Sequence, residues 1–236
     1  MAHHPGSSFP TTNWNEIGRL ETPEFAAAMT ELCQQYWYPI YVFVRRRCGD
    51  QHRAEDVTQA FFAKVLAKRT FRHADPSRGR FRSFLLTSVR NFIADDHAAE
   101  QTHRRGGGKR VVSIDCMTAE QLYQRNQNAE ACPEDEFDRA WAITLMEHAI
   151  TRLQNEYQAK NQSRRFELLV PTLRSATLDH EAIAEELEID EVAARKAASR
   201  FRQRYGRFLR EEIAATLSET GDLKEEIAWM MRLFSR

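Results

Sequence analysis

The chain of 236 residues is longer than one typical domain and shorter than two large ones. With 42% hydrophobic and 29% charged residues it carries enough apolar matter for one or two small cores. No run approaches the roughly 18 apolar residues of a membrane span, and no basic start leads into an apolar signal core, so a soluble cytoplasmic protein is expected. The 34 basic and 34 acidic side chains cancel overall but not locally. Residues 40–110 carry 16 Lys and Arg against 7 Asp and Glu, residues 111–191 carry 7 against 17, and residues 192–210 carry 7 against none. A polyanion responds to local field, because salt screens charge beyond about 10 Å at 0.1 M. Two basic blocks around an acidic one therefore suit a nucleic-acid partner; two solvated helix faces with an acidic linker are the plainer reading of the same pattern.

Abundant Ala, Glu, Arg, Leu and Gln favour helix, and no segment sustains strand alternation, so an all-α fold is expected. Residues 1–23 read as a loose extension, with Trp14, Ile17 and Leu20 able to pack as one turn. Phe25, Ala28, Met29, Leu32, Cys33 and Tyr36 fall at helical spacing over 24–37, and Pro39 suits the first turn of a second helix ending near Cys48-Gly49. A third helix is expected over 53–68, with Val57, Ala60, Phe61 and Val65 inward. After a turn at 75–79, Phe81, Phe84, Leu85, Ser88, Val89, Phe92 and Ile93 give the cleanest amphipathic pattern of the chain. Gly106-Gly107-Gly108 reads as a hinge opening a linker over 106–136, weakly helical around 118–127 and acidic at its end.

A second unit is expected from Phe137, with Ile143, Met146, Ile150, Leu153 and Tyr157 on one helix face. Phe166, Leu169, Val170 and Leu173 suggest a short helix interrupted at Pro171. Over 178–210 the sharpest local pattern appears. Asp179 can cap a helix carrying Ile183 and Leu187, Glu188-Ile189-Asp190 makes a turn, and Asp190 can cap a second helix. That helix sets Ala194, Ala198, Phe201, Tyr205 and Phe208 on one side and Arg195, Lys196, Ser199, Arg200, Arg202 and Gln203 on others. Two helices, a tight turn and a basic second helix form the unit that enters a major groove. Arg or Lys with guanine and Gln with adenine are the geometrically natural pairs. Base contact is therefore expected of Arg195, Lys196, Ser199, Arg200 and Gln203, and phosphate contact of Arg202, Arg204 and Arg207; a basic surface helix within a bundle is the alternative. Finally, Leu223, Ile227, Met230, Met231 and Phe234 form a stripe on a tail helix over 222–236, with Trp229 beside them. The stripe must bury against something: the core of the carboxy-terminal unit, or a position between the units that holds the free protein compact.

Catalytic chemistry is hard to place. Asp56, Asp95, Asp96 and Glu100 have no partnered base or ligand set for a nuclease, and His97, His103, Cys116 and Cys132 fit no zinc spacing. The four Cys form no C-x-x-C pair, and Gly106-Gly107-Gly108-Lys109 is not a phosphate loop. No enzyme activity, metal or cofactor is expected.

Ala54-Glu55-Asp56-Val57-Thr58-Gln59-Ala60-Phe61-Phe62 resembles the polymerase-binding helix of bacterial sigma factors. Gly79-Arg80-Phe81-Arg82-Ser83-Phe84-Leu85, continuing through Val89-Arg90-Asn91-Phe92, resembles their promoter-melting helix, and Leu178 to Leu209 their fourth conserved region. Tyr36-Trp37-Tyr38-Pro39 and Arg105-Gly106-Gly107-Gly108 extend the likeness to one subgroup. In order and spacing the chain is similar to extracytoplasmic-function sigma factors of the sigma-70 superfamily, over residues 24–105 and 137–213. The resemblance implies that Asp56, Gln59 and Phe62 meet core RNA polymerase, that Arg80 and Arg82 hold phosphates of promoter DNA, and that Asn91 reads a base. It implies recognition at minus-ten and minus-thirty-five elements. The expected divisions are 24–105 for the region 2-like domain, 106–136 for the linker, 137–215 for the region 4-like domain and 216–236 for the tail. An anti-sigma factor, or the tail itself, is the further partner to consider. The competing function is a helix-turn-helix regulator that binds DNA without replacing sigma; a helical enzyme or scaffold is the third.

Overall fold

The computed structural model describes residues 23–68, 80–102, 116–126, 131–174, 180–217 and 221–235. The turns expected around Trp14, Ile17 and Leu20 and at 75–79, the hinge at 106–108 and the Asp179 cap lie outside them. Every regular element among the described residues is helical: α1 (Pro23–Cys48), α2 (Gln51–Lys68), α3 (Phe81–Thr102), α4 (Cys116–Asn126), α5 (Pro133–Ala159), α6 (Ser163–Leu169) running into a 3-10 turn (Val170–Leu173), α7 (His180–Glu186), α8 (Glu191–Ala215) and α9 (Leu223–Leu233). No helix is long and apolar enough to cross a membrane among the described residues.

Two compact units emerge, one of residues 1–144 with 214–236 and one of residues 145–213. The divisions thus fall inside α5 and α8 and differ from those expected at 136/137 and 215/216. The reason lies in α5. Its first turns carry Phe137 and Trp141, both buried, and these rings face Phe43 and Tyr36 of α1 rather than a separate core. Pro133 at the helix start and Glu134, Asp135 and Glu136 in the first turn suit the positive end of the helix dipole, so the acidic end of the expected linker is helix.

In the first unit α1 is one helix, not two, and Pro39 sits inside it. A proline there forfeits one backbone hydrogen bond and crowds the preceding turn, at about 3 kcal/mol. Burial of Tyr36, Trp37, Ile40, Tyr41, Phe43 and Val44 on both sides of it offsets that loss. Tyr36 stacks on Trp141 at 4.4 Å and meets the edge of Phe81 at 5.3 Å, while Trp37 stacks on Phe62 at 5.3 Å. Asp50 caps α2 by accepting from the Arg53 N–H at 2.7 Å. Of the residues expected inward on α2, Val57, Phe61 and Val65 are buried, whereas Ala60 is exposed and Phe62 takes its place in the core. In α3, Phe81, Leu85, Val89 and Ile93 form the buried stripe.

Helix α4 lies within the expected linker. It is held to α1 by a buried carboxylate: the Tyr41 hydroxyl donates to Glu120, and Arg45 donates to both its oxygens at 3.2 and 3.3 Å. Burial would raise the Glu120 carboxyl, but hydrogen bonds from Tyr41, Arg45 and Gln124 outweigh it and hold the group below its ordinary value.

In the second unit, Leu153 of α5, Phe166 and Leu169 of α6, Ile183 of α7 and Ala194, Ala198 and Phe201 of α8 build the core. Tyr157 meets the Phe201 ring edge-on at 5.5 Å. His148 of α5 is pushed down to about 4 by burial, although Glu212 Oε2 lies 3.9 Å from its Nδ1. That carboxylate is already engaged by Arg152 at 2.8 Å, so desolvation prevails and the imidazole is neutral.

Helix α7 ends in a Schellman turn. The Glu188 N–H bonds the Glu185 carbonyl at 3.1 Å and the Ile189 N–H bonds the Ala184 carbonyl at 3.0 Å. The turn requires a left-handed residue, and Glu188 adopts it at φ 53°. Such a conformation costs a side-chain-bearing residue about 1–2 kcal/mol, part of which glycine's greater unfolded-state freedom would return. Because the Glu188 side chain is exposed, Glu188→Gly should raise the stability of the second unit by up to about 1 kcal/mol. Glu188→Ala should not, and urea midpoints followed by far-UV circular dichroism would separate the two.

Candidate nucleic-acid interface

The face of α2 expected to meet a protein partner is narrower than its spacing suggested. Asp56 is exposed and Gln59 half-buried, but Phe62 is wholly buried beneath Trp37 and Phe61. Steps of three residues lose about 60° of helix rotation each, so two steps carry Phe62 a third of a turn away from Asp56 and into the core. Asp56 and Gln59 remain as the reachable pair, and Phe62 supports the helix that presents them. Asp56 makes no ion pair with a described residue, which leaves its carboxylate available.

Two acids near the end of the α3 pattern, Asp95 and Asp96, are committed to α2. Asp96 accepts from Arg53 at 2.6 Å and Asp95 lies 3.3 Å from Lys64. Their charge is thus partly neutralised within the unit. Asn91 is exposed. Its neighbour Arg90 is paired with Glu134 at 2.5 Å, and Arg47 reaches the same oxygen at 3.1 Å. The Arg90 hydrogen bond, with help from Arg47, pushes the Glu134 carboxyl down to about 2 against the opposing effect of burial. Stability from this cluster is present above the ordinary carboxylate range and is lost as pH falls toward 2.

Arg80 and Arg82, at the start of α3, are in a different situation. Arg82 is 8% exposed. Its Nε donates to Glu226 at 3.1 Å, one terminal nitrogen donates to Asp138 at 3.1 Å, and its guanidinium carbon lies 3.4 Å from the centre of the Trp229 ring. Arg80 reaches Glu226 at 3.1 Å and Glu225 at 3.6 Å. Glu225, Glu226 and Trp229 belong to α9, which Asp222 caps by accepting from the Lys224 and Glu225 N–H groups. The tail therefore packs within the first unit, not on the core of the carboxy-terminal unit expected to hold it. Its anchors are the arginines: Arg139 also donates twice to the Leu233 carbonyl, at 2.9 and 3.1 Å, closing the far end of the helix.

On α8 the pattern divides as its spacing requires. Ala194, Ala197, Ala198, Phe201 and Phe208 are buried. Lys196, Ser199, Arg200, Gln203, Arg207 and Arg210 recur at steps of three and four on the opposite side, with Ser199 the least exposed of them. Arg195 and Arg202 lie along one edge of this stripe, and Arg195 is tied to Glu191 one turn earlier. Asp190 caps the helix by accepting from the Ala193 N–H at 2.7 Å. Arg204 is committed to Glu156 and Arg207 to Glu211, the latter at 3.6 Å. Lys196, Arg200, Arg202 and Arg210 have no ion-pair partner among the described residues, so they are the cations that this side of the helix leaves uncompensated.

Among the described residues no cluster of His, Cys, Asp and Glu is arranged to hold a metal ion. The carboxylates around Arg82 escaped the sequence reading. Asp138 and Glu226 lie 56 and 144 residues from it, and no local pattern connects them.

Comparison with curated proteins and with solved structures finds no match for this chain. Residues 32–103, from within α1 to the end of α3, match the family model described as sigma-70 region 2, and this match supports a place for the chain in the sigma-70 superfamily.

Proposed function

We propose that the protein is an RNA polymerase sigma factor of the extracytoplasmic-function type. It binds core polymerase through the Asp56–Gln59 face of α2, opens promoter DNA with the region that begins α3, and reads an upstream element with α8. The observation that carries this reading is the sigma-70 region 2 match over 32–103, which spans the helices that present Asp56, Gln59 and Asn91. The exposed basic stripe of α8 adds a second DNA-reading surface behind a capped helix start. Arg202 with Arg207 and Arg210 would meet phosphates, while Lys196, Ser199, Arg200 and Gln203 would face base edges. Such a subunit binds and positions; it catalyses nothing itself, and it works in the cytoplasm where polymerase is. An anti-sigma protein would find its target on the same polymerase-facing surface.

The test is run-off transcription with core polymerase on a promoter library. Specific transcripts that need this protein support the reading. Specific DNA binding without core polymerase, and no transcript with it, would favour the helix-turn-helix regulator instead. Asp56→Ala with Gln59→Ala should weaken core binding by at least about tenfold, the equivalent of about 1.4 kcal/mol, at unchanged helicity. Full affinity in that double variant, read by native gel or fluorescence anisotropy, would sink the α2 assignment.

A further inference from the structure

We propose that α9 is a built-in occupant of the Arg80–Arg82 site: Glu225, Glu226 and Trp229 take the places that strand phosphates and an unstacked base would take, and single-stranded DNA competes with the helix for the two arginines. The inference rests on the proposed reading of that site as a DNA-opening surface, and it concerns how the surface is regulated.

Three observations carry it. The first is chemical likeness. A guanidinium that grips single-stranded DNA meets an anionic oxygen in its plane and an aromatic ring on its face. Arg82 has both from α9: Glu226 Oε1 at 3.1 Å from Nε, and the Trp229 ring 3.4 Å from its guanidinium carbon. The second is coverage. With its pocket filled by α9, Arg82 is only 8% exposed and Glu226 2%, so DNA cannot reach Arg82 until the helix leaves. The third is charge. Two arginines face three carboxylates, Asp138, Glu225 and Glu226. Burial pushes the Asp138 carboxyl up in spite of its contact with Arg82. An arrangement with one anion too many is not the one that binds α9 most tightly, and removing the helix relieves the excess. Asp138 belongs to α5, not to the tail, so Arg82 keeps one in-plane partner and its orientation when α9 departs.

The consequence is a competition set by local charge. Glu225 is the natural handle, because its side chain is 72% exposed and its contact with Arg80 is long, at 3.6 Å. Replacing it by lysine puts a cation against Arg80, while Glu226→Gln keeps the shape and the acceptor atom but removes the charge.

Full-length protein carrying Glu225→Lys and Glu226→Gln is compared with the parent for binding a short fluorescent single-stranded oligonucleotide by anisotropy, with far-UV circular dichroism as the fold control. The double variant should bind at least about tenfold tighter at 0.1 M salt, and the gain should shrink as salt rises. Equal or weaker binding by a folded variant overturns the proposal. Should the buried substitution disturb the fold, Glu225→Lys alone must still tighten binding, and unchanged affinity there overturns it equally. Run-off transcription with core polymerase on the same samples keeps the two readings apart. Tighter oligonucleotide binding with no transcript from either protein would refute the sigma reading and leave α9 as a competitor for anions. Transcription by both proteins at equal oligonucleotide affinity would keep the sigma reading and refute the role of α9.

Discussion

Trp141→Ala should destabilise the first unit by about 3–5 kcal/mol, a large part of the stability of a domain of this size. Trp141 is 1% exposed and sits among Tyr36, Phe81 and Phe137, at ring distances of 4.4, 6.0 and 6.1 Å. Truncation removes its transfer free energy and leaves a cavity between helices that cannot close without moving α1 or α3. Trp141→Phe should cost far less, because the indole N–H finds no hydrogen-bond acceptor among the described residues and its loss removes a buried orphan donor. Tryptophan emission is a selective readout, since residues 145–213 contain no tryptophan while Trp37 and Trp229 remain in the first unit. A urea midpoint for Trp141→Ala equal to that of the parent would show that the start of α5 is dispensable to the first unit's core.

That result would also bear on where the chain divides. Reading the chain in order places Phe137 and Trp141 at the head of a second domain, because the acidic run before them looks like the end of a linker. Their burial against α1 is a fact of tertiary packing, and helical periodicity does not say which core a stripe will meet. What was legible has a common cause. α3 and α8 repeat their apolar residues at strict three- and four-residue steps, so one face must be buried whatever its partner. The buried stripes Phe81–Leu85–Val89–Ile93 and Ala194–Ala198–Phe201–Phe208 follow those steps. The Asp190 cap and the turn at Glu188 were legible because caps and turns are local.

The illegible parts depend on contacts between distant residues. α4 buries Ala119 and Tyr123 among its described side chains, and its fixed point is Glu120, a charge that earns a buried position through Tyr41 and Arg45 some 75 residues away. Pro39 within α1 broke a local rule that the surrounding aromatic residues override. For Phe62 the fault was angular, since three-residue steps drift around a helix. The reach of α9 to Arg80 and Arg82 spans more than 140 residues of sequence and joins charges that a linear reading assigns to unrelated roles.

Those same contacts change what the arginine variants would mean. Arg82→Ala should destabilise the first unit by about 3 kcal/mol, because it leaves half-buried Asp138 without its cation and buried Glu226 with Arg80 alone. The Arg82 guanidinium also covers the Trp229 face, a contact worth about 2 kcal/mol when desolvated. A closed promoter complex formed by Arg82→Ala would then report a damaged fold as readily as a lost phosphate contact. The companion variant Arg82→Met with Asp138→Asn and Glu226→Gln removes the stranded charges along with their cation, and it should recover most of the lost stability. Arg80→Ala is the cleaner probe of DNA. Its side chain is 36% exposed and its partners are one exposed and one buried carboxylate, so its loss should cost only about 1 kcal/mol. Permanganate footprinting with core polymerase should show that Arg80→Ala fails to open the promoter while unfolding near the parent's urea midpoint. Arg82→Ala should fail together with a lowered midpoint, and the neutralised Arg82→Met companion should regain the midpoint without regaining opening. An Arg82→Ala protein as stable as its parent would mean that the carboxylates around Arg82 are relieved by water rather than by its charge. Normal opening by Arg80→Ala would remove the start of α3 from the proposed DNA-binding surface.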